Sequence, residues 1–63
     1  MYRVTTTTQE YQYPGFSEAL YHAQRWALQV RGQTVTVWDV ASGLKLRDIW
    51  WDREQERLQE VTY

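Results

Sequence analysis

The fold is decided by the stretch TVTVWDVASGLKLR, residues 34–47. Its first five residues alternate threonine or tryptophan with valine, which is the period-two pattern of a β-strand. The loop DVASG follows, in which Asp39 can accept hydrogen bonds from loop amides and Gly43 can adopt a positive φ. LKLR then alternates again as a returning strand. These residues predict a β-hairpin.

The register of this hairpin assigns each side chain to a face of the sheet. Pairing Asp39 with Leu44 places Trp38 opposite Lys45, and strict alternation then puts Arg47 on the same face as Trp38. The valines share the opposite, aliphatic face. Beyond Arg47, strict alternation would turn the next residue, Asp48, towards that aliphatic face. We therefore expect either a bulge near this aspartate or the edge of the core.

Residues 35–46 resemble one stretch of a WD40 propeller blade, in which a V-x-V-W-D strand precedes a short loop and a second strand. A blade needs about forty residues and a propeller at least four blades. The resemblance therefore implies shared hairpin chemistry and no propeller.

A helix is predicted upstream of the hairpin. Apolar residues recur at the 3-4-3 spacing of one helix face from Phe16 to Val30. Ser17 stands as the N-cap, with Glu18 in the first turn, and Gly32 stands as the C′ residue. The helix should pack on one face of the sheet.

The first strand is predicted over residues 2–8, YRVTTTT, and can continue to Tyr13, before the turn at Pro14-Gly15. It can pair parallel to strand 34–39 through a right-handed crossover, or antiparallel to the strand that begins at residue 44, in the middle of the sheet. We favour the second arrangement.

The C-terminal segment has two interpretations. Asp52 and Gln55 fit a capping box before the helix-forming run EQERLQE, so a short terminal helix is our first choice. A fourth strand over Arg57–Tyr63, after a turn at Asp52–Gln55, is the alternative. The predicted fold class is α+β: a small three-stranded sheet with one main helix on one face (β-α-β-β) and a short C-terminal helix, in a single domain spanning residues 1–63. The residues expected to be largely buried are Leu20, Ala23, Trp26, Ala27, Val35, Val37, Leu44 and Leu46.

Composition limits the function classes. The 63 residues include four Trp, five Tyr and no Cys, and the net charge is −1. Disulfides and thiolate metal clusters are thus excluded, and no strongly basic surface is expected. The start of the chain has no signal-peptide pattern, and no apolar run is long enough to span a membrane. We expect a cytoplasmic protein.

Catalytic constellations are missing from the sequence. His22 is the only histidine and lies in the predicted helix, so the helix has no pair of histidines at i and i+4 that could bind a metal ion. Asp39 and Asp48 are several rungs apart in the predicted hairpin, so they are not expected to act as an acid–base pair. The three glycines are isolated and form no phosphate loop. We predict no enzymatic activity, cofactor or metal.

The surplus of aromatic residues suggests a binding surface. Trp38, Lys45 and Arg47 are expected on the uncovered face of the sheet, together with either Trp50 or Trp51, because consecutive strand residues point to opposite faces. Tryptophan and arginine are typical of interface hot spots. If the C-terminal helix covers these rings, they form a second small core instead.

Two functions follow from such a surface. The first is a non-catalytic protein–protein interaction module: a homodimer, or a small inhibitor or adaptor that docks on a larger protein, as phage-type regulators of this size do. The alternative is a single-stranded nucleic-acid-binding module, with bases stacked on Trp38 and a neighbouring tryptophan and phosphates held by Arg3, Lys45 and Arg47. The net negative charge makes this alternative the less favoured of the two.

Overall fold

The computed structural model covers residues 1–63 and consists of one α-helix and five β-strands in a single sheet. All neighbouring strands are antiparallel, in the spatial order β2-β1-β3-β4-β5. The chain is α+β, but the predicted three-stranded sheet with a second, C-terminal helix is wrong. The elements in chain order are β1 (Tyr2–Thr5), β2 (Glu10–Tyr13), α1 (Phe16–Gln29), β3 (Val35–Asp39), β4 (Lys45–Asp52) and β5 (Arg57–Thr62).

The segment predicted as one N-terminal strand is a hairpin. The Thr6 N–H donates to the Gln9 carbonyl at 2.8 Å, and the Thr6 hydroxyl accepts from the Gln9 N–H at 3.0 Å. A threonine side chain therefore closes the turn without glycine or proline. β1 lies between β2 and β3 and pairs antiparallel with β3. Both pairings considered for the first strand are wrong, because its partner is residues 35–39 in the antiparallel direction.

The predicted C-terminal helix is replaced by a turn and β5. Asp52 Oδ1 accepts hydrogen bonds from the N–H groups of Glu54 and Gln55, at 2.9 and 3.3 Å, as an N-cap would. The chain then leaves helical geometry at Glu56, whose φ is 53°. Leu58 packs against the core from β5. The strand is the more stable alternative because pairing with β4 satisfies the backbone hydrogen-bonding groups. A short helix with only a thin apolar stripe is marginally stable.

The β3–β4 loop matches its prediction. Gly43 has a φ of 73°, and Asp39 Oδ1 accepts from the Ala41 N–H at 3.2 Å. The Asp39 N–H donates to the Leu44 carbonyl at 2.9 Å, which closes the hairpin where expected. Local side-chain chemistry is sufficient to form this loop.

A bulge follows directly after the loop and changes the register. Trp38 pairs with Lys45 as predicted, but Val37 pairs with Arg47, so Leu46 is an extra residue in β4. The bulge lies two residues earlier than expected. As a result, Arg47 is on the opposite face from the one predicted, and the residues that follow it alternate between the faces from there.

The core is built from small side chains. Ala19, Ala23 and Ala27 form a stripe at a spacing of four along α1, which lets the helix backbone approach the sheet closely. Leu20 and Trp26 are only half-buried and flank this stripe, and Leu44 is 64% exposed, so its predicted burial is wrong. The fully buried residues are Val4, Ala19, Ala23, Ala27, Val35, Val37 and Ile49.

The helix begins one residue before the predicted cap. Gly15 is the N-cap and no side chain caps the first turn, so the assignment of Ser17 as N-cap is wrong. Phe16 is the first helical residue, and its ring contacts Tyr2 edge-on with centroids 5.5 Å apart. This packing, rather than a capping hydroxyl, fixes the start of the helix. The helix is neither long nor apolar enough to cross a membrane.

Candidate functional site: the open face of the sheet

The helix covers one face of the sheet, and no element of the chain covers the other. Residues opposite each other in an antiparallel pair point to the same side, so the pairings assign each strand residue to a face. We call the uncovered side the open face. It carries Arg3, Thr5, Glu10, Gln12, Thr36, Trp38, Lys45, Asp48, Trp50, Asp52, Arg57, Gln59 and Val61.

Asp48 is the centre of a polar network on the open face. It accepts hydrogen bonds from the Thr36 hydroxyl at 2.7 Å and from the Tyr63 hydroxyl, and Lys45 Nζ lies 3.0 Å from Oδ2. Its side chain is only 14% exposed. Burial by itself would raise the pKa of Asp48, but the hydrogen bonds from Tyr63, Thr36 and Lys45 outweigh it and hold that pKa below its usual value. The same contact with Asp48 raises the pKa of Lys45.

Trp38 is held rigidly at one end of this face. Its indole N–H donates to the Thr5 hydroxyl at 2.9 Å, and the Arg3 guanidinium carbon lies 5.6 Å from the ring centroid. Arg3 Nε in turn lies 3.2 Å from a Glu10 carboxylate oxygen. The ring is therefore fixed before any partner arrives, which lowers the entropic cost of binding through it.

Trp50 lies towards the other end of the open face, opposite Gln59 on β5. It makes none of the ring-stacking or cation–π contacts that involve the other three tryptophans. Asp48 separates it from Trp38, and the strand rise places the two residues about 14 Å apart along the strands. The face thus has two half-buried tryptophans around a polar centre.

Arg47 and Trp51 are on the helix-covered face, so the prediction that Arg47 shares a face with Trp38 is wrong. Arg47 lies over the Phe16 ring at 5.1 Å and its Nε is 3.4 Å from a Glu60 oxygen. Trp51 lies under the Arg31 guanidinium at 4.2 Å. These two contacts hold the start of α1 and the segment just after its end against the sheet.

The charges on the open face balance. Arg3 is paired with Glu10, and Lys45 with Asp48. The third cation predicted to hold phosphate, Arg47, is on the other face and lies beside Glu60. None of the three predicted phosphate contacts is thus an unpaired cation. The open-face charges are Arg3, Lys45 and Arg57 against Glu10, Asp48 and Asp52.

A second candidate surface, which is not predicted from the sequence, is a cleft between β2 and α1. Its volume is about 220 Å³, and it is lined by Tyr13, His22, Arg25, Trp26 and Gln29. The four helical residues have the spacing i, i+3, i+4 and i+7, so they form one stripe. That spacing is the signal available in the sequence. The His22 ring stacks on Tyr13 with centroids 4.6 Å apart. No group of three or more His, Cys, Asp or Glu side chains is placed to hold a metal ion.

No protein-family model, curated protein or solved structure matches this chain. The open face and the cleft are the two surfaces from which a function can be inferred.

Proposed function

We propose that this chain is a non-catalytic protein-binding module that forms a homodimer through the open face of its sheet. The observation that carries the proposal is that the C-terminal segment extends the sheet as β5. The second small core, which would have covered the tryptophans with a C-terminal helix, is therefore not formed. Trp38 and Trp50 remain on a face that nothing in the chain covers.

The aromatic content of this face favours a binding role. A solvated face of an antiparallel sheet is ordinarily polar. Here it carries two tryptophans, with Val61 and Tyr63 at 39% and 61% exposure on the same side. Tryptophan and tyrosine bury large areas with little loss of side-chain entropy, and tryptophan, tyrosine and arginine dominate interface hot spots.

A second copy is the partner that best fits this face. A two-fold interface brings the same patch of both subunits together, so the patch must not repel itself. Three basic and three acidic side chains meet that condition. A standard interface needs roughly 800 Å² from each partner, about a fifth of the 4206 Å² surface of this chain. One whole sheet face is the surface of suitable extent.

The test is the mass in solution at concentrations from about 1 to 200 μM, a range that covers typical weak-to-moderate dimer affinities. We expect a species of twice the 7.7 kDa chain mass. Trp50→Ala should weaken dimerisation by 2 kcal/mol or more, roughly thirtyfold, while the variant remains folded. Val61→Arg is a second variant, because a long charged side chain at an exposed position blocks close approach with little effect on the monomer.

Trp51→Ala is the matched control, since it removes the same ring from the adjacent residue but on the helix-covered face. It should lower stability and leave association intact where the protein is folded. Arg47→Ala should behave in the same way. A monomeric wild-type chain at the highest concentration, or unchanged dimerisation in both open-face variants, would overturn the proposal. Salt-dependent binding to labelled oligothymidine by the wild-type chain, lost in Trp50→Ala, would support the nucleic-acid alternative instead.

A further inference from the structure

The cleft between β2 and α1 is rich in hydrogen-bond donors and has no negative charge. Each of its five lining side chains, from Tyr13, His22, Arg25, Trp26 and Gln29, has an N–H or O–H group that can donate. None of them is a carboxylate, although the chain as a whole has a net charge of −1. The cleft is therefore complementary to an oxyanion and not to a cation.

The walls of the cleft are held in place by neighbouring rings. Tyr13 stacks on His22, and Tyr11 stacks on Trp26 with centroids 5.3 Å apart. The Arg25 guanidinium is anchored by a 3.0 Å hydrogen bond from Nη1 to the Tyr21 hydroxyl. This single bond leaves other N–H donors of Arg25 free for a ligand. The donor set is thus largely ordered before binding.

The cleft lies beside an unpaired strand edge. β2 is an edge strand of the sheet and pairs only with β1. The hydrogen bond from the Thr6 N–H to the Gln9 carbonyl sets the alternation of the β1–β2 ladder. Gln9 therefore directs its backbone groups towards β1, and so do Tyr11 and Tyr13. The N–H and C=O groups of the alternate residues, Glu10 and Gln12, point away from β1. These groups can pair with one further strand.

We propose that an extended peptide with an acidic side chain adds to the edge of β2 and places that side chain in the cleft. Tyr11 and Tyr13 point to the helix side, so a peptide residue opposite either of them also points to that side. Its carboxylate then meets the donors of Arg25 and His22. The backbone supplies affinity and the cleft supplies selectivity, as in other cases of β-strand addition.

The other edge of the sheet lacks this combination. β5 also has a free edge, but no cleft adjoins it. The β5 side chain on the helix-covered face there is Glu60, which already pairs with Arg47. A peptide carboxylate would meet a like charge there. The acidic peptide should therefore select β2 over β5.

The experiment uses an acetylated and amidated peptide of alternating Val and Thr, with one central Glu and a Lys at each end, and the same peptide with Gln in place of Glu. Binding is measured by fluorescence anisotropy up to about 1 mM, and amide protection by hydrogen exchange. We expect the Glu peptide to bind about tenfold more tightly than the Gln peptide. The amides of Glu10 and Gln12 should become protected on binding.

Arg25→Gln should remove this tenfold preference and leave the weaker binding of the Gln peptide unchanged. Arg53→Gln is the matched control, because Arg53 is exposed in the β4–β5 turn and far from the cleft in the sheet order. Trp50→Ala should also leave peptide binding intact, so failure of the dimer and failure of this site can be told apart. Equal binding of the two peptides, no binding at the highest concentration, or protection in β5 instead of β2 would overturn the proposal.

Discussion

Ile49→Ala tests the bulge at Leu46, because a hairpin without the bulge would turn Ile49 outwards. Leu44→Ala, on the other side of the bulge, is the exposed comparison. In the structure Ile49 is fully buried and Leu44 is 64% exposed. Truncating isoleucine to alanine removes three carbons, about 2.4 kcal/mol of transfer free energy at about 0.8 kcal/mol per CH₂. With the cavity that remains, the expected loss is about 3–4 kcal/mol. Leu44→Ala should change stability by no more than about 0.5 kcal/mol.

The expected loss from Ile49→Ala is large for this chain. At about 0.05–0.15 kcal/mol per residue, the 63 residues provide roughly 3–9 kcal/mol in total. The assay is urea denaturation followed by circular dichroism, with the variants at one protein concentration because dimerisation shifts apparent stability. The m-value should be unchanged for both variants. Similar losses for the two substitutions, or a larger loss for Leu44→Ala, would refute the register.

Two further predictions concern the turns and the open face. Gly43 and Glu56 have positive φ values of 73° and 53°. In urea denaturation, Gly43→Val should lower the unfolding free energy by about 1–2 kcal/mol, and Glu56→Gly should raise it by about 0.5 kcal/mol. An unchanged unfolding free energy for Gly43→Val would contradict the loop geometry. Hydrogen bonds hold the pKa of Asp48 below its usual value despite burial, so its carboxylate stabilises the fold above the ordinary aspartate pKa, and that contribution is lost as the pH falls through the folded-state value. Asp48→Asn should therefore lower the unfolding free energy at pH 7 and flatten its decline as the pH falls below the ordinary aspartate pKa. Parallel curves for wild type and variant would contradict this.

The features that could be predicted from the sequence are those decided within a few residues. The Asp39–Gly43 loop depends on one carboxylate and one glycine, and both act as expected. The valine face of β3 and the helix also follow from periodicity, because the 14-residue helix repeats its pattern over about four turns. Local chemistry and repetition were sufficient for these elements.

The features that could not be predicted depend on competition between distant segments. The Asp52 carboxylate binds the next turn amides in the same way before a helix or a tight turn, so its hydrogen bonds do not distinguish β5 from a helix. Pairing with β4 and the packing of Leu58 decide the outcome. Likewise, the Thr6 turn has no glycine or proline to mark it. The β2–α1 cleft does not follow from the sequence, because the pattern predicts residues 10–13 as the end of the first strand and not as a strand of their own.

One backbone irregularity links the stability of this fold to its proposed binding surface. Without the extra residue at Leu46, Arg47 would lie beside Trp38, as the strict alternation predicted, and Asp48 would turn towards the alanine stripe of the helix. The bulge reverses both placements. Arg47 packs over the Phe16 ring at the start of the helix, and Asp48 accepts a hydrogen bond from the Thr36 hydroxyl on the open face. A variant that deletes Leu46 should therefore lose folding and association together, whereas Trp50→Ala should lose association alone.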